Sequence, residues 1–186
     1  DCDIPPPAEV EGYEIKKPLG RGAYGTVWLA AQKNTGKQVA IKFYAHAGGL
    51  DLVLLRREVE SLAFLYTERD VVQLLAVGWD HEPPYYVMEY LRGGDLEHAM
   101  QERRITQTVA LEAVLHAGQA LDFAHQQGMV HRDIKPTNIL LDEFGNPRLT
   151  DFDLVAAADS TGGTGTGVGM GTVVYAAPEA LEDARH

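Results

Sequence analysis

The sequence predicts an α+β fold in two unequal parts, a small five-stranded antiparallel sheet with one helix and then a mainly helical part. Two observations carry that expectation. From Tyr13 to Tyr90, short β-rich runs are separated by glycines and polar turns, whereas after Gly93-Gly94 apolar residues recur at helical spacing. In addition, 186 residues of which 45% are apolar suffice for one domain, or for two small lobes sharing a cleft.

Residues 1–12, with Pro5-Pro6-Pro7, read as a stiff linker. Strands are expected at Tyr13 to Leu19, Thr26 to Ala31 and Gln38 to Tyr44, with Asn34-Thr35-Gly36 as the turn between the second and third. Leu50 to Tyr66 reads as a helix burying Leu55, Val59, Leu62 and Tyr66. Two further strands, Val71 to Gly78 and Tyr85 to Tyr90, flank a Pro83-Pro84 turn. Asp95 is the expected N-cap of a helix from Leu96 to Arg103. A longer helix, from about Thr108 to Gln127, should bury Ala113, Val114, Ala117, Ala120, Leu121 and Ala124 and stop at Gly128. Short strands at Ile139 to Leu141 and Pro147 to Thr150 bracket Gly145-Asn146. The Gly/Thr-rich stretch from Ser160 to Gly171 reads as a loop.

The chain has 27 acidic and 16 basic residues, a net charge of −11. A nucleic-acid partner is not expected from that balance, since a phosphate backbone needs a basic face, and a basic peptide would be attracted instead. Cys2 is the single cysteine, so no internal disulfide can form and a cytoplasmic setting is expected. No apolar run reaches membrane-span length, and the N-terminus lacks an export signal, although a membrane anchor beyond residue 186 stays compatible with the sequence.

The chemistry-bearing residues come in a fixed order. Gly20-Arg21-Gly22-Ala23-Tyr24-Gly25-Thr26-Val27 continues as a strand rather than opening a helix. It therefore fits a strand–turn–strand that brings backbone N–H groups to phosphates, and not a dinucleotide fold. In Val39-Ala40-Ile41-Lys42, a lysine inside an apolar strand needs a partner. Glu58 lies beside the buried face of the first helix and can supply one, whereas Glu60 should point outward. In His131-Arg132-Asp133-Ile134-Lys135-Pro136-Thr137-Asn138, a carboxylate can take a hydroxyl proton and a lysine can neutralise a moving phosphoryl group. The amide oxygen of Asn138 can bind Mg²⁺. Asp151-Phe152-Asp153 adds a second hard oxygen ligand, and Ala177-Pro178-Glu179 closes the Gly/Thr-rich loop.

In that order, from about Tyr13 to Glu179, these motifs resemble the eukaryotic-type Ser/Thr protein kinase family. The resemblance implies a bilobal kinase fold, with an ATP-binding lobe at 13–90 and a partial catalytic lobe at 91–186 that includes an activation segment at 151–179. It implies transfer of the ATP γ-phosphate to Ser/Thr hydroxyls of proteins, with Mg²⁺ as the metal ion and Mn²⁺ as a substitute. Leu19, Gly20, Gly22, Gly25 and Val27 would cover ATP, with Ala40 above the adenine and Leu140 below it. Lys42, paired with Glu58, would hold the α- and β-phosphates. Met88 matches the gatekeeper, Glu89 and Leu91 the hinge, and Asp95 the ribose contact. Asp133 matches the catalytic base, Lys135 the lysine typical of Ser/Thr kinases, and Asn138 and Asp151 the metal ligands. Leu62, Leu74, Phe152 and His131 match the stacked apolar spine. Thr172 matches a threonine that touches the base, and Ser160, Thr161, Thr164 and Thr166 are candidate phosphorylation sites. Phe123-Ala124-His125, compact loops and the Pro-rich start are similar to bacterial members.

Two departures stand out. Asp153 replaces the family's glycine, which should restrict flipping of that motif, and only seven residues follow Glu179, so the helical lobe is expected to be incomplete. The alternative reading is a weak or inactive pseudokinase-like nucleotide-binding or scaffolding module. Against it, Lys42, Asp133 and Asp151 are all present. A small-molecule phosphotransferase would share the loop, but the Ala-Pro-Glu segment and Gly171-Thr172 argue for protein substrates.

Overall fold

The computed structural model describes residues 5–22, 25–44, 49–152, 156–157 and 175, and the chain divides into two compact units. One comprises Asp1–Tyr66 and Val72–Tyr90; the other comprises Thr67–Val71 and Leu91–His186.

The first unit is built on strands β1 (Tyr13–Gly22), β2 (Gly25–Gln32), β3 (Gln38–Tyr44), β4 (Leu74–Gly78) and β5 (Tyr85–Glu89), with helix α1 (Gly49–Phe64) between β3 and β4. The strands form one antiparallel sheet in the order β1-β2-β3-β5-β4. Side chains alternate across a strand, and the register turns that rule into two distinct faces. Trp28 pairs with Ile41, Ala30 with Val39, and Ile41 with Val87, so one face gathers Trp28, Ala30, Val39, Ile41, Phe43 and Val87 into a buried core. Val27 pairs with Lys42, Leu29 with Ala40, and Ala40 with Met88, which puts these residues on the opposite face.

Two details of this unit depart from the sequence reading. Val10, inside the stretch read as a linker, is buried in the sheet's core, and its carbonyl accepts the Tyr13 N–H. On α1 Val59 and Leu62 are buried as expected, but just past the helix end it is Leu65 that is buried, and Tyr66 is 69% exposed. The helix ends at Phe64, so the chain leaves helical spacing before Tyr66 can turn inward. Glu60 is exposed, as its position on the helix predicts. The side chains of Leu55 and Glu58 lie outside the described residues.

Gly25 has a packing reason of its own. A Cβ there would sit 1.9 Å from the Phe43 carbonyl oxygen, so β2 can approach β3 this closely only without a side chain. Gly25→Ala is therefore expected to destabilise the unit by on the order of 2 kcal/mol, seen as a Tm several degrees lower. At Gly20 the added Cβ would meet nothing within 4 Å among the described residues.

The second unit holds helices α2 (Leu96–Gln101) and α3 (Gln107–Gln126), the short strands β6 (Gly94–Asp95), β7 (Met129–Val130), β8 (Ile139–Leu141), β9 (Pro147–Leu149) and β10 (Ala156–Ala157), and a 3₁₀ turn at Pro136–Asn138. Asp95 caps α2 by accepting the His98 N–H at 2.9 Å. Thr106 caps α3, and Gly128 at φ +75° ends it. Ala113, Ala117, Ala120 and Ala124 form the buried stripe of α3, and their small size lets the helix lie close to its neighbours. Val114, expected in that stripe, is 55% exposed; Leu121 is half-buried. At 100° per residue, Val114 is a full step away from the line that Ala113 and Ala117 define. Val71 does not begin β4. It forms a parallel bridge to Leu149, and the adjacent Asp70 carbonyl accepts the Leu149 N–H at 2.7 Å, tying residues 67–71 to the second unit.

The β8–β9 turn is closed by Asp142. Its Oδ1 accepts the N–H groups of Phe144 and Asn146, both at 2.8 Å, and its Oδ2 accepts Asn146 Nδ2 at 2.7 Å. Burial on its own would raise the Asp142 pKa. The Asn146 and Phe144 hydrogen bonds, with the Arg148 charge, outweigh that effect and hold it below the ordinary carboxylate value. A depressed folded-state pKa gives stability that is present above the unfolded pKa and lost as pH falls through the folded one. The difference in Tm between the parent and Asp142→Ala should thus be constant near neutrality and shrink below pH ~4. Among the described residues, no helix is long and apolar enough to cross a membrane.

Candidate active site

In the first unit, the register gathers several of the residues expected to bind nucleotide. Gly20 pairs with Val27, and Gly22 with Gly25, across the β1–β2 ladder. Val27 faces Lys42, and Ala40 faces Met88, so these four occupy neighbouring positions on the face of the sheet opposite Trp28 and Ile41. Lys42 is only 5% exposed. Leu19 is exposed at 40%. Glu89 is tied twice to Gln73, the residue before β4: its Oε1 accepts the Gln73 N–H at 2.9 Å, and its own N–H donates to the Gln73 carbonyl at 3.0 Å. This pair fixes the strand end at which the expected hinge begins.

In the second unit, the loop after β7 is the most closely specified part of the site. Arg132 sits at φ +66°, a left-handed conformation that costs a non-glycine residue of order 1 kcal/mol or more and turns the chain sharply after His131. His131 is buried, and its Nε2 lies 2.8 Å from the Thr150 carbonyl. A carbonyl can only accept, so Nε2 carries the proton, and Nδ1 is then the acceptor for the Asp133 N–H at 3.3 Å. The His131 ring packs against Phe152 with centroids 4.7 Å apart. That contact unites two of the four expected spine residues.

Asn138, 2% exposed, is the centre of the loop. Its Nδ2 donates to the Asp133 carbonyl at 2.8 Å and to Asp133 Oδ2 at 3.2 Å, and its own carbonyl accepts the Thr150 N–H at 3.0 Å. Lys135 Nζ also reaches Asp133 Oδ2, at 2.8 Å. One carboxylate oxygen is therefore held from two sides. The other, Asp133 Oδ1, is buried and has no hydrogen-bond partner among the described residues. A buried acceptor left unpaired is costly, and a carboxylate held by one oxygen with the other open is poised to accept a hydroxyl proton. With Nδ2 committed, Oδ1 is the atom of the Asn138 amide suited to a cation. Asp151, in the next segment, is at φ +62°, a second strained residue beside the loop. Within the second unit, the Asp133 oxygen without a partner among the described residues and the side-chain oxygens of Asn138 and Asp151 are hard donors of the kind a divalent ion takes.

Asp95 and Leu140 are brought together as partners in the β6–β8 ladder, and Leu91 is buried just before it. Asp95 does more than the sequence reading asked of it. Besides capping α2, its Oδ2 lies 2.7 Å from His98 Nδ1, so both carboxylate oxygens have partners within α2. Several contributors escaped sequence reasoning. Thr150 and Gln73 act through backbone groups, which leave no residue-type signal. Asp70, buried beside β9, is bonded to His116 on α3 at 3.0 Å, across 46 positions of sequence. Asp153, Ser160, Thr161, Thr164, Thr166, Thr172 and Ala177-Pro178-Glu179 lie outside the described residues, as does the Glu58 side chain.

Residues 13–186 match the protein kinase domain. The chain is 37% identical over 174 residues to CBL-interacting serine/threonine-protein kinase 12 of Arabidopsis thaliana, covering 91% of this chain and 35% of that protein. It is 35% identical over 177 residues to CBL-interacting protein kinase 14 of Oryza sativa subsp. japonica, covering 92% of this chain and 40% of that one. It is 34% identical over 183 residues to Rho-associated protein kinase 1 of Mus musculus, covering 94% of this chain and 13% of the relative. The chain thus spans well under half the length of these relatives. They are plant and mammalian proteins and lend no support to the bacterial resemblance. Over the whole sheet and the catalytic loop, the chain belongs to the protein kinase domain family.

Proposed function

We propose that this domain transfers the γ-phosphate of ATP to Ser/Thr hydroxyls of protein substrates, with Mg²⁺ as its ion and Mn²⁺ as a substitute. The observation that supports it best is the Asp133 carboxylate, held at Oδ2 by Asn138 and Lys135 and open at the buried Oδ1. ATP, when bound with its ion, supplies the phosphoryl group and the charge neutralisation that phosphoryl transfer needs. Asp133 Oδ1 takes the proton of the attacking hydroxyl. Lys135 holds the carboxylate in place and offers positive charge beside it. Asn138 and Asp151 are the metal ligands.

On the sheet, Leu19, Gly20, Gly22, Gly25 and Val27 cover the nucleotide, and Lys42 with Glu58 takes the α- and β-phosphates. Ala40, Met88, Glu89, Leu91 and Leu140 frame the adenine, and Asp95 contacts the ribose in competition with His98. The net charge of −11 favours basic peptide substrates through long-range attraction. The setting read from the lone cysteine is cytoplasmic.

The test is direct. The full-length protein is incubated with labelled ATP, Mg²⁺ and peptide pools that differ only in carrying Ser, Thr or Tyr. Label should enter the Ser and Thr pools, and basic peptides should be preferred. Label confined to Tyr, or transfer to none of the pools while a small-molecule alcohol is phosphorylated, would overturn the proposal.

A further inference from the structure

The ammonium group of Lys42 is buried next to two aromatic rings. Lys42 and Tyr44 are two residues apart on β3 and so share a face, and Tyr86 is the direct cross-strand partner of Lys42 on β5. Both tyrosines are buried, at 1% and 0% exposure. Nζ of Lys42 lies 5.2 Å from the Tyr44 ring centroid and 5.8 Å from that of Tyr86. The two rings are tilted by 44° with centroids 6.4 Å apart, and together they make a trough for the cation.

A charge in a dry interior is costly wherever its surroundings are merely apolar. Aromatic faces carry partial negative charge, and a cation within about 6 Å of a ring centroid is attracted, more strongly when water is excluded. Alternation of the strand sharpens the point. One residue earlier or later, Lys42 would meet the Trp28, Ile41 and Phe43 core; on its own face it meets two π-faces.

We propose that Tyr44 and Tyr86 form an aromatic seat that holds the Lys42 ammonium charged and extended, and that they are positioning residues for nucleotide binding. This rests on the reading that Lys42 binds the phosphates. The seat fixes Nζ before ligand arrives, so less side-chain freedom is lost on binding. Its contribution should therefore appear in ATP affinity more than in turnover.

The rings can be weakened without changing their size. In the full-length protein, Tyr86→Phe, and separately Tyr44→Phe, serve as baselines. The phenylalanine ring is then carried with one, two and three fluorines, which withdraw electron density from its face. ATP KM should rise step by step with fluorination, by roughly tenfold in all, while kcat changes by less than about twofold. The rate at which an amine-reactive reagent modifies Lys42, followed by mass spectrometry, should rise in the same order, because only the neutral amine reacts. A flat response of both KM and modification rate across the series would overturn the seat and leave the rings as space-filling. Lys42→Met separates the two ideas. If that variant binds ATP as the parent does, the phosphate reading fails, whereas the modification series still reports on the seat.

Discussion

Asp133→Asn is expected to lower kcat by about 10²- to 10⁴-fold, with ATP affinity little changed, in single-turnover measurements on the full-length protein. The substitution nearly preserves shape. The asparagine oxygen can still accept from Asn138 Nδ2, which in the parent lies 3.2 Å from Asp133 Oδ2, so the loop keeps its main internal bond. What is lost is the negative charge opposite Lys135 Nζ at 2.8 Å and the basicity of the unpaired Oδ1. An amide cannot take a hydroxyl proton, and its NH₂ in the Oδ1 position would present a donor where a donor is expected to approach. A loss of less than about fivefold would mean that proton removal is not assisted by this carboxylate. Lys135→Ala is the milder companion. It removes one of two partners of Oδ2 and should cost less than Asp133→Asn, with thermal stability nearly retained because both groups are partly solvated.

The parts of this arrangement that were legible in the sequence share a physical property. The five strands could be read because each is a short β-rich run bounded by glycines or polar turns, although β3 is buried on both faces and so carries no alternation for the eye to follow. The loop from His131 to Asn138 stood out because Asp133, Lys135 and Asn138 are polar residues at short spacing, and the structure brings the three into mutual contact. Legibility failed where the deciding partner is distant or is backbone. Val71 looks like the start of β4, yet its ladder partner is Leu149, which no local pattern reveals. Val114 and Tyr66 look as apolar as their buried neighbours, and only the phase of the helix or its end turns them outward. Thr150 anchors both His131 and Asn138, but through its carbonyl and N–H, and any residue except proline would present the same groups there. Tyr44 and Tyr86 read as ordinary strand aromatics until the β3–β5 register sets them beside Lys42.

Asn138 offers the other large effect, and two substitutions there separate its two jobs. Its Nδ2 holds Asp133 by the carbonyl at 2.8 Å and by Oδ2 at 3.2 Å, while Oδ1 is the atom assigned to the metal. Asn138→Ala removes both, and should lower kcat by about 10²- to 10³-fold together with a higher Mg²⁺ concentration for half-maximal rate. Asn138→Asp keeps an oxygen for the metal and makes it anionic, so the Mg²⁺ requirement should fall or stay level. It also replaces the donor to Asp133 with a second buried carboxylate, at a residue only 2% exposed. Like charges at hydrogen-bonding distance in a largely buried site repel strongly, so Asp133 should be displaced and kcat should fall as far as in the alanine variant. The expected result is thus two variants with similar losses in kcat, of which only Asn138→Ala needs more Mg²⁺ than the parent. If both shift the Mg²⁺ requirement upward, Asn138 acts on the ion only through the loop it braces. If Asn138→Asp keeps full turnover, the Nδ2 bonds to Asp133 do not position the base, and the unpaired Oδ1 must be oriented by Lys135 alone.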